Sequence, residues 1–597
     1  MCIDICPVGA LTSGAYRYKT RPWEMTHVGT VCTHCADGCK TTLGVRRSSR
    51  GTEIVRGDNR DKSGINGDFL CIKGRYAFDF ANSEERLTHP LIRRDGKMVP
   101  VSWEQAIEHV ASRFRQIRDS RGGNAIGVIG SNRTTNEENY LLQKFARSVL
   151  GTNNIDHHRT ADYPAFAKAI AGRQNVTATL RQTMNAPAIL LIGNDPTEQH
   201  PLLAWNLRAN LRLHNGRIYI INSKEIKLGR QAQAYVRVPE DSGETMMVRY
   251  LAGDDGVASQ LESNGLNRDA LREFREKVKG EQGLVIIFGS ELRGDDITRL
   301  VEWGARQAAK FICLGDYSNS RGAADMGLYP DLLPGYTAIS SAGAFTQEYG
   351  STTPKQPGLD MLGMFDAAAS GKIGALYVVG SNPVARYSFD PFALKNTFIV
   401  VQDMFLTETA TAAEVILPAA NAYEKSGSYT NTYGDLQLLK KAGDVAGVRT
   451  DFELIVRIAD RMGADIRRLV PFGKGLRADM GQSRGAQSGE ADRHAVWLAG
   501  RNLEPKLSPF DPEALLDEIQ RLVPGYNFSR LNLFAGGDVH TLAPEHSSIA
   551  QPSSPESIVP ANDELFTSGT LGRYSNTLNS LIENRRATAE PAEISAD

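Results

Sequence analysis

The chain has 597 residues, 41% hydrophobic and 23% charged, a length and balance that call for several ordinary globular domains at about 100–200 residues each. Its 68 basic residues against 69 acidic ones leave a net charge of −1 with no long run of either sign, which argues against nucleic acid as a partner. Apolar runs such as "AILLIG" and "ALYVVG" fall well short of the roughly 18–20 residues that cross a bilayer, so no direct membrane span is expected.

In chain order, the stretch to about Ser83 is rich in Cys, Gly and Arg, and "VCTHCADGCKTTLGVRRSSRGTEIVRGD" reads as a ligand loop followed by two short strands, a small β-rich module. Residues 101–123 repeat apolar residues at helical spacing and stop at Gly122 and Gly123. A short buried strand at 125–130 and an amphipathic helix over 134–151 follow. Strands and helices then alternate to about residue 460, through "GRIYIIN", "GLVIIFG", "KFICLG", "FIVV" and "AEVILP". Short, continuously apolar strands between helices predict parallel sheets covered on both faces. "LLIGNDP" (190–196) and "YVVGSNP" (377–383) echo each other as a strand ending in Gly, polar residues and Pro. Each either closes a strand at the ligand-binding carboxyl edge of a doubly wound sheet or is simply a good turn. Beyond about 462 the pattern weakens: 473–494 reads as a polar insertion, 543–564 as extended or disordered, and the final "RRATAEPAEISAD" as a loose tail.

Seven cysteines are too few for a disulfide scaffold. Six of them, Cys2, Cys6, Cys32, Cys35, Cys39 and Cys71, fall in the first 71 residues, and the opening "MCIDICPVGA" has neither the basic flank nor the apolar core of a secretion signal. That clustering reads as metal ligation in a reducing compartment. Cys32-x2-Cys35-x3-Cys39-x31-Cys71 puts three thiols on one tight loop, curled at Gly38, and a fourth on a distant segment. The pattern suits the corners of a [4Fe–4S] cubane; zinc, which more often takes paired CxxC knuckles, is the rival. Lys73 follows the last ligand closely and either offsets cluster charge and relays an electron, or is a solvated surface lysine. Cys6 precedes Pro7, as in the closing half of a bacterial ferredoxin motif. Cys2 and Cys6 cannot hold a cluster alone, so Cys6 is a ligand of a second cluster only if further sequence lies upstream. Cys313, in an apolar strand, reads as a core thiol.

"CPVGALTSGAYRYKTRPWE" and the four-Cys module together resemble the large iron–sulfur subunit of NADH-quinone oxidoreductase. "CTHCADGC…LCIKGRYAFDF" is also similar to the [4Fe–4S] domain of formate dehydrogenases and related molybdopterin oxidoreductases, and the resemblance runs on through "IGNDPTEQHP" and "VVQDMFLTETATAAEVILPAANAYEKSGSYTNT", covering roughly residues 1–450. It implies an α/β fold: a small β-rich [4Fe–4S] domain, then two doubly wound lobes of molybdopterin-oxidoreductase type, without the C-terminal cofactor barrel, whose opening "LFTSGTLGRYSNTL" resembles. The implied division is 1–24, a remnant of a ferredoxin-like cluster region; 25–84, the [4Fe–4S] domain; 85–465, the α/β body; and 466–597, a variable region with disordered segments. Gly193, Asn194, Gly380 and Asn382 fall on relic pterin loops.

Four departures from the formate dehydrogenase pattern make a molybdopterin unlikely on this reading. No Cys follows Asp156, where "HHRTADY" offers only His157 and His158. A nucleotide-contacting loop becomes "INSKE", the "TNTYGDLQ" loop carries Asp435 where an Arg would meet phosphate, and the barrel is missing. The expected function is therefore an electron-transfer and scaffold subunit of the peripheral arm, on the cytoplasmic side of the inner membrane, with no complete substrate site of its own. Its partners would be the flavin- and NADH-binding and ferredoxin-like subunits. A molybdopterin-dependent, formate dehydrogenase-like oxidoreductase is the alternative.

Overall fold

The computed structural model describes residues 3, 8, 10–14, 16–49, 51–59, 62–350, 353–464, 466, 512–534, 536, 539–541, 549–550, 552, 554 and 557–589. Cys2, Cys6 and the polar stretch at 473–494 lie outside the described residues.

Two parallel sheets make the body. One holds five strands in the order Ala234–Arg237, Arg217–Asn222, Ala188–Ile192, Leu284–Phe288, Lys310–Cys313. The other holds seven, in the order Lys97–Pro100, Leu91–Arg94, Val415–Pro418, Phe398–Asp403, Ala375–Val379, Ile126–Ile129, Ile155–Asp156. The second sheet is parallel except at one edge, where Leu91–Arg94 runs antiparallel to Val415–Pro418 and pairs with Lys97–Pro100 as a hairpin. Every residue of Ala188–Ile192, Leu284–Phe288 and Ala375–Val379 is buried, as strands covered on both faces must be. These are the parallel sheets the alternation predicts, arranged as the two doubly wound lobes the resemblance implies.

The two echoing turns sit where strand order reverses. Ala188–Ile192 has its sequence neighbours on opposite sides, and so does the junction of Ile126–Ile129 with Ala375–Val379. Gly193 and Gly380 take φ of +60° and +58°, a conformation that glycine adopts at little cost because it has no Cβ. Crevices at such reversals are where doubly wound sheets hold ligands.

The cysteine module is a three-stranded antiparallel sheet, Thr26–Val31, Lys40–Ser48 and Gly51–Asp58. The first strand, which delivers Cys32, goes unseen in the sequence because Gly29 and polar residues interrupt it.

The helix read as amphipathic is a correction. Asn136–Phe145 begins with a capping box between Thr135 and Glu138, but all ten of its residues are buried. Its polar face is matched by buried partners rather than water. Glu138 and Asp451 flank Lys425 at 2.7 and 2.5 Å, and Lys144 meets Glu518 at 2.8 Å. Glu137 accepts from Ser428 N (2.8 Å) and Ser428 Oγ (2.7 Å). The tail is a second correction: the helix Asn576–Ala589 takes in its first residues. The described parts of 543–564 are extended and packed, with Ile558 bridged to Arg159 and Ile549 to Thr337.

Burial raises the Glu137 carboxyl from 4.5 to about 7, against the Ser428 hydrogen bonds. A carboxyl raised in the fold contributes stability that is fully present below its unfolded value and is lost as pH rises through its folded value. Unfolding by denaturant should therefore show stability falling between about pH 4.5 and 7 and levelling off above that window. Glu137→Gln should remove up to roughly 3 kcal/mol of that fall. An unchanged pH slope in Glu137→Gln would contradict the assignment.

Candidate metal centre

Cys32, Cys35, Cys39 and Cys71 are all unpaired thiols, the first three buried and the fourth half-buried. The loop closes on itself through Cys32 N to Cys39 O at 2.8 Å. Gly38 at its tip has φ +74°, and a Cβ there would stand 2.2 Å from Gln437 Oε1, so the curl needs glycine. Cys71 stands at the N-terminal boundary of the short helix Ile72–Tyr76, with its thiol making no capping bond. Burial is the largest cause raising each thiol, to about 12 at Cys32, and the negative charges of the other thiols add to it at Cys32, Cys35 and Cys39. Groups that close, in a dry pocket, are poor as free thiols and suited to a shared cationic centre. Among the described residues no three His, Cys, Asp or Glu side chains are placed to hold a single ion.

The body grips the loop. Ala36 N donates to Asp316 O, Thr432 N to Ala36 O, and Cys35 bridges to Tyr317. Asp37, fully buried, accepts from Leu202 N and the Tyr433 hydroxyl and lies 3.2 Å from His200 Nδ1. The "TNTYGDLQ" loop thus meets the cysteines: Gln437 Nε2 donates to Gly38 O at 2.7 Å. Its Asp435 pairs with His540 at 2.7 Å.

Lys73 is no surface lysine: it is 2% exposed. Its Nζ donates to the carbonyls of Glu564 and Thr567, both at 2.9 Å, and its charge lowers the thiols of Cys32, Cys35 and Cys71. The same C-terminal segment meets His34 Nδ1 through Ser568 Oγ (2.9 Å). Arg133 reaches the carbonyls of Thr33 (2.6 Å) and Ser568 (3.2 Å). Sequence reasoning passed over His34, Asp37 and Arg133. The first two stand between ligands in "CTHCADGC", where the spacing alone draws the eye, and Arg133 lies right after a strand end, the one signal that could have found it.

The relic loops differ from each other. At Gly193 a Cβ would lie 2.3 Å from Glu291, whose Oε1 accepts from Asn194 N at 2.8 Å, so that crevice is filled. Burial pushes the Glu291 carboxyl up to about 7. Gly380 and Asn382 instead border a cleft of about 200 Å³ shared with Arg133, His158 and the C-terminal segment at Ala561, Asp563 and Thr570. Asn382 is engaged there by Glu408 and Thr409. His157 and His158 are both buried, with Nδ1 placed against Leu328 O and the Tyr387 hydroxyl respectively, each at 2.8 Å. Burial holds His157 down to about 3 and His158 well below the usual range. Cys313 is a core thiol, 1% exposed.

This geometry, two doubly wound lobes clasping a four-cysteine module, is that of an iron–sulfur oxidoreductase. The molybdopterin oxidoreductase family matches residues 86–249 and 258–461, and the molybdopterin oxidoreductase Fe4S4 domain matches 25–83. The chain belongs to the molybdopterin oxidoreductase family, and its Fe4S4 domain, which contains all four cysteines, supports a [4Fe–4S] cluster.

Among curated relatives, the chain is 31% identical to a subunit of the NADH-quinone oxidoreductase of Rhizobium meliloti, over 87% of this chain and 64% of that protein. It is 30% identical to the putative formate dehydrogenase YrhE of Bacillus subtilis, over 73% of this chain and 49% of the relative. It is 28% identical to the alpha subunit of the NADPH-Fe(3+) oxidoreductase of Geobacter sulfurreducens, over 78% and 59%. The chain thus spans about half to two thirds of the length of these relatives. In fold it is similar to acetylene hydratase from Pelobacter acetylenicus, with a TM-score of 0.53, 15% identity and coverage of 74% of this chain and 70% of that one.

A buried positive charge beside a cluster favours the reduced form. Lys73→Met should make the cluster harder to reduce, by on the order of 50–100 mV if the charge acts through an effective dielectric near 20. Voltammetry of the purified chain checks this; a loss of stability with an unmoved potential would reduce Lys73 to a packing role.

Proposed function

We propose that this chain is the electron-transfer and scaffold subunit of a peripheral-arm NADH-quinone oxidoreductase, with Cys32, Cys35, Cys39 and Cys71 as the ligands of its [4Fe–4S] cluster. When bound, such a cluster supplies a one-electron carrier. The chain's own part is to keep water from it, to anchor the loop through Asp37 and Gln437, and to hold one positive charge at Lys73 against the negative charge of four thiolates.

The observation that carries the scaffold half of this reading is the C-terminal segment. Its carbonyls at Glu564 and Thr567 satisfy Lys73, and its residues to Thr570 border the cleft, which is left at about 200 Å³. Ligand sites for even drug-sized molecules run to about 300–1,000 Å³, and a bis-pterin molybdenum cofactor is larger than those. The size of this cleft supports the reading without a pterin. NADH, flavin and quinone would be handled by partner subunits on the cytoplasmic side of the inner membrane. No helix among the described residues is long and apolar enough to cross a membrane. The second reading, a molybdopterin-dependent, formate dehydrogenase-like enzyme, is favoured by the relatives of that description.

Anaerobic reconstitution should give about four iron and four sulfide per chain, and Cys71→Ala should lose the cubane or leave a labile, iron-poor form. An equally stable full cluster in that variant removes Cys71 as a ligand. Protein made in molybdate-supplemented cells should contain iron without molybdenum and oxidise no formate. Stoichiometric molybdenum with a pterin would establish the second reading instead.

A further inference from the structure

The cleft at the ends of the Ile126–Ile129 and Ala375–Val379 strands has more donors than its neighbours use. Arg386 lies on the short helix Pro383–Tyr387 that follows the Gly380 turn. Its Nη1 donates to Ala561 O at 2.6 Å. Its Nε and Nη2 are both buried, and neither has a hydrogen-bond partner. Those two N–H groups form one edge of the guanidinium, the edge that grips a carboxylate or phosphate through two parallel bonds. Leaving them unmatched away from water is costly.

His158 faces the same cleft. It is 8% exposed, and its Nε2 is also buried without a partner. Burial and the Arg386 charge both hold its imidazole neutral. Its Nδ1 lies 2.8 Å from the Tyr387 hydroxyl; in the tautomer in which that hydroxyl donates to Nδ1, the proton of a neutral ring sits on Nε2, a third donor. Two further arginines line the space. Arg133 directs its hydrogen bonds to backbone carbonyls and the Ser568 hydroxyl, which leaves its positive charge unneutralised. Arg573 is paired with Glu408. The one acidic residue on the lining, Asp563, accepts from Gly569 N at 2.9 Å. On the lining itself the arginines outnumber the acid, with Asp316, which accepts from Ala561 N, standing behind it within reach of the Arg386 charge, and about 200 Å³ admits a small anion.

We infer that this cleft binds a small oxyanion of carboxylate or phosphate type, gripped by the Nε–Nη2 edge of Arg386 with His158 Nε2 as a third donor. The inference rests on the cleft being free of a pterin, as proposed above. A bidentate fork commits the site to an anion with two oxygens on one centre, which sets it apart from a chloride or a lone water. Water bridging the same donors would meet their hydrogen bonds but not the net charge.

The test is calorimetric titration of the full, iron-loaded chain, in chloride buffer free of other oxyanions, with inorganic phosphate in one arm and formate in the other. At least one anion should bind saturably at one site per chain, and the stronger arm fixes the ligand geometry. Arg386→Gln should weaken that binding roughly ten- to hundredfold. Arg386→Lys keeps the charge without the fork and should fall between the two. Both variants should leave the visible absorption of the cluster unchanged. Should Arg386→Gln fail to fold, His158→Asn puts the same question, with weaker binding expected. Failure of both anions to bind, or unchanged affinity in the variant that folds, overturns the site. Molybdenum measured on the same sample separates the two proposals: molybdenum-free protein that binds neither anion refutes this one alone.

Discussion

Taking four thiols out of water and setting them side by side is the demand around which this molecule is arranged. A thiolate in a dry interior is costly alone, and each neighbour of like charge makes it worse. The chain offsets that cost in layers. The Lys73 ammonium sits on the residues adjoining the last thiol, backbone N–H groups from the loop and its helix face inward, and a second layer, Asp37, Gln437 and Arg133, fixes the loop so that none of these groups can turn away. Arg133 is the joint between the two halves: it ties the cysteine loop to the C-terminal segment across the mouth of the cleft.

Buried charge is handled the same way in the body. Lys425 between Glu138 and Asp451, and Lys144 against Glu518, are ion pairs with almost no solvent contact. Such pairs add little net stability over apolar residues of the same volume, but removing one partner strands a charge. They hold the Asn136–Phe145 helix in a single orientation, and that helix starts a few residues after Arg133. A register error there would displace the arginine that binds the loop.

Much of this was legible in the sequence. Continuous apolar runs betrayed the parallel strands, and the cysteine spacing betrayed the module, because both are local patterns with a strong physical cause. The Asn136–Phe145 helix misled because amphipathic periodicity reports polarity and not water; its Glu and Lys residues are answered by Ser428, Lys425 and Glu518, which lie far away in the chain. Lys73 was ambiguous for the same reason, since only the carbonyls of Glu564 and Thr567 distinguish a buried lysine from a solvated one. The two echoing Gly turns looked alike and are not: Glu291 fills one crevice, and no feature of "LLIGNDP" announces it.

The hydrogen bond between His34 and Ser568 closes a gap of 534 residues. A ribosome adding about 5–20 residues per second needs roughly half a minute to two minutes to cover that distance. Throughout that interval the cysteine loop has been made and the segment that seals it has not. The order of synthesis thus gives any iron-delivering machinery an open door, which the later-made segment around Ser568 then shuts.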